Sequence, residues 1–416
     1  MKILMVTGEY PPMKGGVGRY TSNLVNALKK KNDVEVFVAM GNHVVSPGSP
    51  SPDSLTGHAL GNNHDSLNDI YYNVIRKGDQ KNSDRLLELV HKLKPDIVNI
   101  QYERGLYEND TNIQSIIKRS LYGSTLHKFF KKTPVPSVTT LHTVMPADEY
   151  KEYIKERAER KEGRFASLPG PVRFAIRKWA LERRYKLLFE IVNLSHNIIS
   201  PAQTLKDLVK TGTVIYHGAE PFPSLSSNYQ QDYRRELGLP SNKKLLLAFG
   251  YVGSYKGFDL LSNIEVPDGW SLVVKQNKHE RGKEKPVHVK GAVNLHLGYL
   301  DDSMLSKLFF ACDAIIFPYR LVSVSGVMFD ALAHGLPFVA SNLKFFREFE
   351  ELGLGLTCHR KPEDFSKALN CLASDYETFK NKIGLFGSLL KWDTVAQAHL
   401  DFFKMQTRPI AFKQKY

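Results

Sequence analysis

Short runs of consecutive apolar residues alternate with amphipathic segments along this chain. In its first half, continuous apolar runs predict strands, and apolar residues recurring every three or four positions predict helices. The predicted strands cover 2–7, 34–39, 96–101, 137–141 and 197–200, and the predicted helices pass through Leu24 and Leu28 and cover 84–93 and 172–189. Alternation at this spacing indicates a parallel sheet covered by helices. Residues 41–68, rich in Ser, Pro, Gly and Asn, predict a loop.

The second half begins again with a strand and a glycine-containing turn, after a linker rich in Pro, Ser and Asn (EPFPSLSSNYQ). Its predicted strands cover 243–250, 272–274, 294–297, 314–317 and 338–340, and its predicted helices cover 301–310 and 327–334. Ligands of doubly wound sheets bind at the carboxyl ends of the strands. The repeated pattern therefore predicts an α/β protein of two doubly wound, Rossmann-like domains that face each other across a cleft.

Length and hydropathy agree with two domains. The chain has 416 residues, enough for two cores of about 200 residues each. No apolar run approaches the roughly 18 residues of a membrane span. The N-terminal apolar stretch is too short for a signal peptide and leads directly into a strand. We therefore expect a cytoplasmic protein.

The charge is strongly basic. The 57 Lys and Arg exceed the 43 Asp and Glu to give a net charge of +14, which attracts anionic partners such as nucleic acid, anionic lipid or nucleotide-sugar phosphates. Residues 151–190 hold twelve Lys and Arg against six Asp and Glu, and Lys128, Lys131 and Lys132 flank a Phe pair. A solvated charged surface is the alternative interpretation. Three cysteines without C-x-x-C spacing indicate neither a disulfide framework nor a zinc site.

Three polar turns have the composition of an anion site. Ser325 and Gly326 stand between an apolar strand and a helix, where backbone N–H groups face an anion. Gly15 and Gly16 occupy a similar position in the first half, and Lys256 adds a full positive charge after the first strand of the second half. A surface turn, a helix cap and a solvated lysine are the corresponding structural alternatives. No Asp-x-Asp triplet occurs, so we predict no metal site and no cofactor.

Motifs along nearly the whole chain resemble those of the retaining glycosyltransferases of family four, within the glycosyl transferases group 1. The similar segments are EYPPMKGGVGRY, IVNIQYERGLY, TLHTVMP, VIYHGAE, FGYVGSYKGFDLL, LGYLDDSMLSKLFFACDAIIFPY, DAIIFPYRLVSVSGVMFDALAHGLPFVAS and KWDTVAQAHLDFF. The resemblance implies the GT-B fold and a final helix that crosses back to the first domain. The implied division is an acceptor-binding domain over 1–218 plus 393–416 and a nucleotide-sugar-binding domain over 219–392.

The resemblance also implies roles for three candidate catalytic residues. His142 corresponds to the histidine that contacts the donor sugar, and Lys256 corresponds to the diphosphate lysine. Glu103 is a candidate for orienting the acceptor or the sugar. The implied reaction retains the anomeric configuration by front-face attack, with the leaving phosphate helping to deprotonate the acceptor, so it needs no protein nucleophile.

Donor-binding positions follow in the same way. Asp330 corresponds to the glutamate that holds the ribose hydroxyls, and Tyr299 and Leu300 present backbone groups to the base. Val327 joins Ser325 and Gly326, with Gly15 and Gly16, as a donor contact. Two positions depart from the family, because Val322 stands where a donor-sugar glutamate is common and Tyr251 replaces an arginine.

The function implied is transfer of a hexose from GDP-mannose or a UDP-hexose to a glycan or polyprenyl-linked acceptor, at an anionic membrane surface on the cytoplasmic side. The nucleotide-diphosphate sugar is then a co-substrate and not a cofactor. Val322 and Tyr251 favour one alternative, a catalytically silent relative that binds nucleotide sugar. A nucleic-acid-binding protein is the other alternative, but none of its common recognition motifs is present.

Overall fold

The computed structural model describes residues 1–41, 58–59, 70–108, 123–160, 167–278 and 285–408, with backbone alone at 58, 59 and 70. The chain divides into two compact units. The first contains Met1–Val144, Arg157–Tyr216 and Trp392–Tyr416, and the second contains Met145–Glu156 and His217–Lys391. Residues 145–156 thus group with the second unit, whereas the sequence-based range 1–218 places them in the first domain.

The first unit is built on one sheet. Its strands are β1 (Lys2–Thr7), β2 (Glu35–Gly41), β3 (His58–Ala59), β4 (Ile70–Ile75), β5 (Ile97–Tyr102), β6 (Ser137–Leu141), β7 (Asn197–Ser200) and β8 (Thr213–Val214). Its helices are α1 (Gly16–Lys29), α2 (Asn82–Leu93), α3 (Arg104–Tyr107), α4 (His127–Lys132), α6 (Gly170–Leu194), α7 (Gln203–Val209) and α14 (Trp392–Gln406), while α5 (Ala147–Glu159) lies mostly in the second unit.

The second unit is built on the second sheet. Its strands are β9 (Lys244–Tyr251), β10 (Trp270–Asn277), β11 (Val293–Leu295), β12 (Ala314–Phe317), β13 (Phe338–Ser341) and β14 (Gly355–Cys358). Its helices are α8 (Gln230–Glu236), α9 (Asp302–Ala311), α10 (Gly326–Ala333), α11 (Lys344–Glu351), α12 (Pro362–Ser374) and α13 (Tyr376–Gly387), with 3₁₀ turns at Ser227–Tyr229, Ser254–Lys256, Phe258–Asn263 and Ser388–Leu390.

Strand order places a topological switch point in each sheet. Among the described residues the first sheet has the order β3-β4-β2-β1-β5-β6-β7-β8, and the second has β11-β10-β9-β12-β13-β14. All pairs are parallel except β3 with β4. The order reverses between β1 and β5 and between β9 and β12, which is where such sheets bind ligands. The predicted parallel, helix-covered architecture is confirmed.

Apolar residues on these strands form a separate core in each unit. Ile3, Met5 and Ile97 pack with α1 and α14 in the first unit, and Leu246, Ala248 and Ile316 pack with α12 in the second. A buried ion pair closes the second core, since Arg234 Nη2 donates to Asp313 Oδ2 at 2.7 Å and Leu245 N donates to the same oxygen at 2.7 Å. The carboxylate therefore fixes α8 against the first residues of β9.

Three sequence-based element predictions need correction. The loop predicted for 41–68 contains strand residues, because Gly41 ends β2 and His58–Ala59 pair with β4; the rest of that segment, with His43 and His64, lies outside the described residues. Strand β4 was not predicted. The helix predicted for 172–189 is longer and covers Gly170–Leu194, because the helix continues past the residues whose apolar pattern predicted it.

No helix of the described residues is long and apolar enough to cross a membrane.

Helix α5 is fixed to the second unit by ion pairs. Lys344 Nζ lies 2.8 Å from Asp148 Oδ2, and the Lys344 N–H donates to Glu149 Oε1 at 2.6 Å. Further along, Glu156 Oε2 lies 3.4 Å from Arg320 Nε and 3.3 Å from Arg360 Nη2. The segment that follows His142 in the chain is therefore held by residues of the second sheet's loops.

Candidate active site

A tight turn after β9 carries Lys256 to the switch point of the second sheet. The turn ends at Gly257, whose φ of +66° is left-handed and therefore favours glycine. A side chain at Gly257 would overlap the carbonyl oxygen of Pro318, which follows β12. Because Gly257 has no Cβ, the turn at Ser254–Lys256, called the lysine turn below, packs directly against the segment that follows β12.

Lys256 is a buried cation without a counter-charge. Its side chain is 8% exposed, and no carboxylate pairs with it among the described residues. Nζ donates to Tyr319 Oη at 2.6 Å and lies 3.9 Å from the centroid of that ring and 5.3 Å from the Tyr255 ring. Burial lowers the pKa of Lys256 to about 7, because a charged ammonium is poorly solvated there. An anion placed at this point would supply the missing charge.

The segment after β12 fixes the lysine turn. The Arg320 N–H donates to Tyr255 O at 2.8 Å, and Arg320 Nη1 donates to Ser254 O at 2.7 Å. The same guanidinium pairs with Asp259, with Nη1 2.8 Å from Oδ1. Both backbone and side-chain bonds therefore hold Ser254–Lys256 against the residues that follow Phe317.

The N-terminus of α10 is the second polar element of this unit. Ser325 precedes the helix and is buried, and its Oγ has no partner of ordinary hydrogen-bond geometry among the described residues. A Cβ at Gly326 would stand 3.4 Å from His217 Nε2, and the His217 ring stacks on Phe329 with centroids 5.3 Å apart. The small residues at 325 and 326 thus leave room in front of the helix start, and His217 lies beside it.

The other predicted donor contacts are divided between α10 and the β10–β11 edge. Asp330 is buried on α10, and Val327 in its first turn is partly exposed. Leu300 and Val322 are buried, whereas Tyr299 is half exposed.

Tyr299 lines a cavity of ≈ 390 Å³ at the ends of β10 and β11. Its other polar lining includes Lys275, Asn277, His288 and His296, with Lys275 Nζ donating to Asn277 Oδ1 at 2.6 Å.

In the first unit, a carboxylate already occupies the start of α1. Glu9 follows β1, and its Oε1 accepts a hydrogen bond from the Gly18 N–H at 2.9 Å. A side chain at Gly15 would overlap this carboxylate, whereas one at Gly16 would meet no atom within 4 Å. The positive end of the helix dipole is thus balanced by Glu9. The role of Gly15 and Gly16 in holding a donor stays a prediction.

Glu103 follows β5 at the same switch point as Glu9. It is half-buried, and its carboxylate has no hydrogen-bond partner in the described ranges. Burial and, second, the negative charge of Glu9 raise the pKa of Glu103 to about 7, with Lys77 and Arg104 opposing. Two nearby carboxylates at the end of parallel strands, one of them readily protonated at neutral pH, can bind hydroxyl groups as both acceptor and donor.

His142 lies at the end of β6, next to β5. Its Nε2 is 2.8 Å from Gln101 Oε1, and its ring meets the Tyr20 ring edge-on at 4.9 Å between centroids. Gln101 is fully buried and donates from Nε2 to Met5 Sδ at 3.1 Å and to Asn99 Oδ1. Because Gln101 Nε2 donates to Met5 and Asn99, Gln101 Oε1 faces the imidazole of His142.

Sequence reasoning missed several residues that contact the predicted site residues, among them Glu9, Gln101, His217 and Tyr319. Each residue lies within or next to a recognised motif, and this nearness in sequence was the one signal that could have indicated a place in the site. Sequence spacing does not show which side chains meet across neighbouring strands.

Comparison with known proteins gives a consistent class. Residues 270–375 match the family of glycosyl transferases group 1. The uncharacterized glycosyltransferase MJ1607 of Methanocaldococcus jannaschii is 23% identical over 230 residues, which are 51% of this chain and 58% of that protein, less than two thirds of its length.

Solved structures show the same fold over the whole chain. The Anabaena protein HepE, in complex with UDP, superposes with a TM-score of 0.59 at 13% identity, covering 97% of this chain and 100% of HepE. WaaG, a glycosyltransferase involved in lipopolysaccharide biosynthesis, has a TM-score of 0.57 at 12% identity, covering 96% of this chain and 99% of WaaG. At this level of identity the likeness shows fold alone.

The chain therefore has the two-domain GT-B fold, which glycosyltransferases such as WaaG share. Residues 270–375, about a quarter of the chain, match the model of the glycosyl transferases group 1. The predicted fold is confirmed, the predicted group agrees with the match over residues 270–375, and membership of family four in particular remains a prediction.

Proposed function

We propose that this protein transfers a hexose from a nucleotide-diphosphate sugar, GDP-mannose or a UDP-hexose, to a glycan or lipid-linked acceptor with retention of configuration. The observation that carries the proposal is Lys256, a buried ammonium without a carboxylate partner at the switch point of the second sheet. Cleavage of the donor bond leaves negative charge on the diphosphate, and a cation in a water-poor site stabilises that charge strongly.

The remaining donor contacts are assigned from their positions in the second unit. Ser325, Gly326 and Val327 offer N–H groups and a hydroxyl at the start of α10, as phosphate sites at helix starts do. Asp330 would accept hydrogen bonds from the ribose hydroxyls, and Tyr299 with Leu300 would present backbone groups to the base. HepE has been solved with UDP-glucose, which supports a nucleotide sugar as the donor class.

The first unit is assigned to the acceptor and the transferred sugar. His142, with a ring position set by Gln101, would contact the sugar, and Glu103 would bind the hydroxyl that receives it. The acid beside it, Glu9, makes this end of the first sheet suited to hydroxyl-rich ligands and unsuited to a second anion. Gly15 and Gly16 remain candidate donor contacts. The reaction would proceed without a protein nucleophile and without a metal or another cofactor.

The acceptor is proposed to be presented at the cytoplasmic face of a membrane. Lys128, Lys131 and Lys132 are exposed, and α6 exposes further basic residues with Phe189 among them. The Phe129–Phe130 pair is buried in the core, so charge alone from this segment would attract anionic lipid. WaaG acts in lipopolysaccharide biosynthesis, which supports a lipid-linked or glycan acceptor.

The test is a donor and acceptor screen with two lysine variants. We expect turnover of a GDP- or UDP-hexose with a glycan or polyprenyl-linked acceptor, detected as released nucleotide and glycosylated product. Lys256→Ala should abolish transfer with an unchanged circular dichroism spectrum, whereas Lys290→Ala, which removes an exposed lysine of the same unit, should retain it. Absence of both turnover and donor binding across the panel would refute the proposal.

A catalytically silent nucleotide-sugar-binding protein is the second candidate. Val322 is buried and apolar where a donor-sugar carboxylate is common, and Tyr251 replaces a basic residue. Donor binding by calorimetry, with neither transfer nor hydrolysis for any acceptor in the panel, would favour this candidate.

A further inference from the structure

Lys256 and Tyr319 leave the two strands at the switch point of the second sheet and meet through one hydrogen bond. Tyr319 is 1% exposed, and its Oη accepts from Lys256 Nζ at 2.6 Å. A Cβ at Gly250 on β9 would stand 3.4 Å from Lys256 Cε and 3.5 Å from Nζ. The ammonium is thus enclosed by a glycine backbone and two aromatic rings, with one hydroxyl as its polar contact among the described residues.

The charged groups around this site leave Lys256 uncompensated. Tyr255 faces it from its own turn, and Tyr319 and Arg320 face it from the segment after β12. Asp259 and Glu156, the carboxylates of this neighbourhood, are bound to the Arg320 guanidinium. They balance the arginine, and within the part of the chain that the structure describes the lysine has one hydroxyl as its partner.

We infer that Tyr319 is a positioning residue that holds Lys256 Nζ for the donor diphosphate, and that donor binding converts Lys256 from a partly neutral amine to an ammonium by taking up a proton. This inference depends on the proposed function, since it assumes that the diphosphate binds at Lys256. The hydroxyl of Tyr319 can donate to a neutral amine and accept from an ammonium. It therefore fixes the nitrogen in both states.

The proton balance is simple. The neutral amine accepts one proton from solvent and becomes the ammonium that pairs with the diphosphate. The diphosphate of a nucleotide sugar, esterified at both ends, carries no proton to give near neutral pH, so the proton must come from the buffer. Burial lowers the pKa of Lys256 to about 7, so part of the free protein has the neutral amine near neutral pH, and binding should take up a fraction of a proton.

Calorimetry measures this uptake directly. UDP-glucose and GDP-mannose are titrated into the full-length protein at pH 7 in buffers of different ionisation enthalpy, and the slope of binding enthalpy against ionisation enthalpy gives the protons taken up. We expect a net uptake of protons that increases from pH 6 to pH 8, and an affinity that decreases as pH rises over the same range. Binding with no proton uptake would overturn the inference alone, and binding of neither sugar would overturn the proposed function with it.

Variants separate positioning from structure. Tyr319→Phe removes the hydroxyl, whose hydrogen bond to the ammonium is stronger than its bond to the neutral amine, so the pKa of Lys256 should fall further. Uptake at pH 7 should rise toward one proton, and the decrease in affinity should begin about one pH unit lower. Tyr255→Phe keeps the ring and removes a hydroxyl that does not bond to Lys256, so uptake should stay at the wild-type value. Lys256→Met should show no uptake.

Tyr319→Phe with wild-type uptake and a wild-type pH profile would refute the positioning role. Thermal melts establish whether each variant is folded. Should Tyr319→Phe fail to fold, the comparison of the wild type with Lys256→Met decides the proton uptake, because equal uptake in both would show that the proton binds elsewhere.

Discussion

The amide oxygen of Gln101 lies 2.8 Å from His142 Nε2 and fixes the tautomer of that imidazole. An amide oxygen only accepts hydrogen bonds, so Nε2 carries a proton, and in the neutral imidazole Nδ1 is the acceptor. The amide is held in this orientation because its nitrogen donates to Met5 Sδ and Asn99 Oδ1 inside the sheet. A buried strand residue thus determines which ring atom of His142 accepts a hydrogen bond.

Gln101→Leu should release this constraint. The loss leaves the partly buried N–H of His142 without its acceptor, which costs about 1 kcal/mol or more, and the rate of sugar transfer should fall about tenfold. Long-range ¹H–¹⁵N spectra should show the Nε2–H tautomer of His142 in the wild type and a mixture in the variant. A wild-type spectrum and rate for Gln101→Leu would contradict the assignment.

Glu9 should control the titration of Glu103. Glu9→Gln keeps Oε1 as the acceptor for the Gly18 N–H but removes the negative charge, so the pKa of Glu103 should fall below its value of about 7. The ¹³C carboxyl resonance of Glu103, assigned with Glu103→Gln, reports the midpoint. An unchanged midpoint in Glu9→Gln would mean that burial alone raises the pKa.

The same raised pKa makes Glu103 destabilising at higher pH. The folded state keeps the proton up to about pH 7, whereas the unfolded chain loses it near the ordinary value of about 4.3, so the free energy of unfolding falls between these values as pH rises. The stability of Glu103→Gln relative to the wild type should therefore increase as pH rises over this interval, and the difference should stay constant at higher pH. Urea unfolding at pH 5 and pH 8 measures the difference, and an equal difference at both pH values would contradict the assignment.

Gly257→Ala should disrupt the lysine turn. The left-handed φ of +66° costs a residue with a Cβ about 1–2 kcal/mol, and overlap with the Pro318 carbonyl adds to this cost. We expect a lower melting temperature and weaker binding of the donor. Gly291→Ala is the matched control, because its φ is +78° but no atom lies within 4 Å of the added Cβ. Equal losses in both variants would rule out the contact with Pro318.

His399 should make the first unit sensitive to acid. Its Nε2 lies 3.3 Å from Tyr20 Oη and its Nδ1 2.8 Å from Val395 O, and burial lowers the pKa of His399 to about 4. The unfolded chain binds this proton below about pH 6.5 and the folded chain does not, so stability decreases as pH falls from 6.5 toward 4, by about 3 kcal/mol in total. His399→Gln should flatten this part of the pH profile, and an unchanged slope would contradict it.

Strand positions were predictable because buried parallel strands are continuous apolar runs. Lys2–Thr7, Ser137–Leu141, Asn197–Ser200 and Ala314–Phe317 have the predicted bounds. Strand β4 was missed because its sequence, IYYNVI, follows a polar segment and has Asn between its apolar residues. The interpretation of 41–68 as a single loop was wrong for His58–Ala59 because their pairing partner lies at Ile70 and Tyr71.

Side-chain partners were less predictable because they join distant positions. Gln101 and His142 are 41 residues apart, and Lys256 and Tyr319 are 63 apart. The glycine turns were recognisable as anion sites, but composition does not reveal that Glu9 occupies the start of α1. The lysine was recognised by its motif, whereas its lack of a counter-charge required the contacts of Asp259 and Glu156.

Residues 145–156 have a consequence for dissecting the protein. A single cut after Tyr216 would leave this segment on the N-terminal fragment, although Asp148, Glu149 and Glu156 bind Lys344, Arg320 and Arg360 of the other fragment. In the C-terminal fragment, Lys344, Arg320 and Arg360 would then lose their contacts with these carboxylates, and the surface that binds α5 would be uncovered. A gene fragment that encodes a self-sufficient second unit must therefore join 145–156 to 217–391 through an engineered connection, which makes circular permutation better suited than truncation.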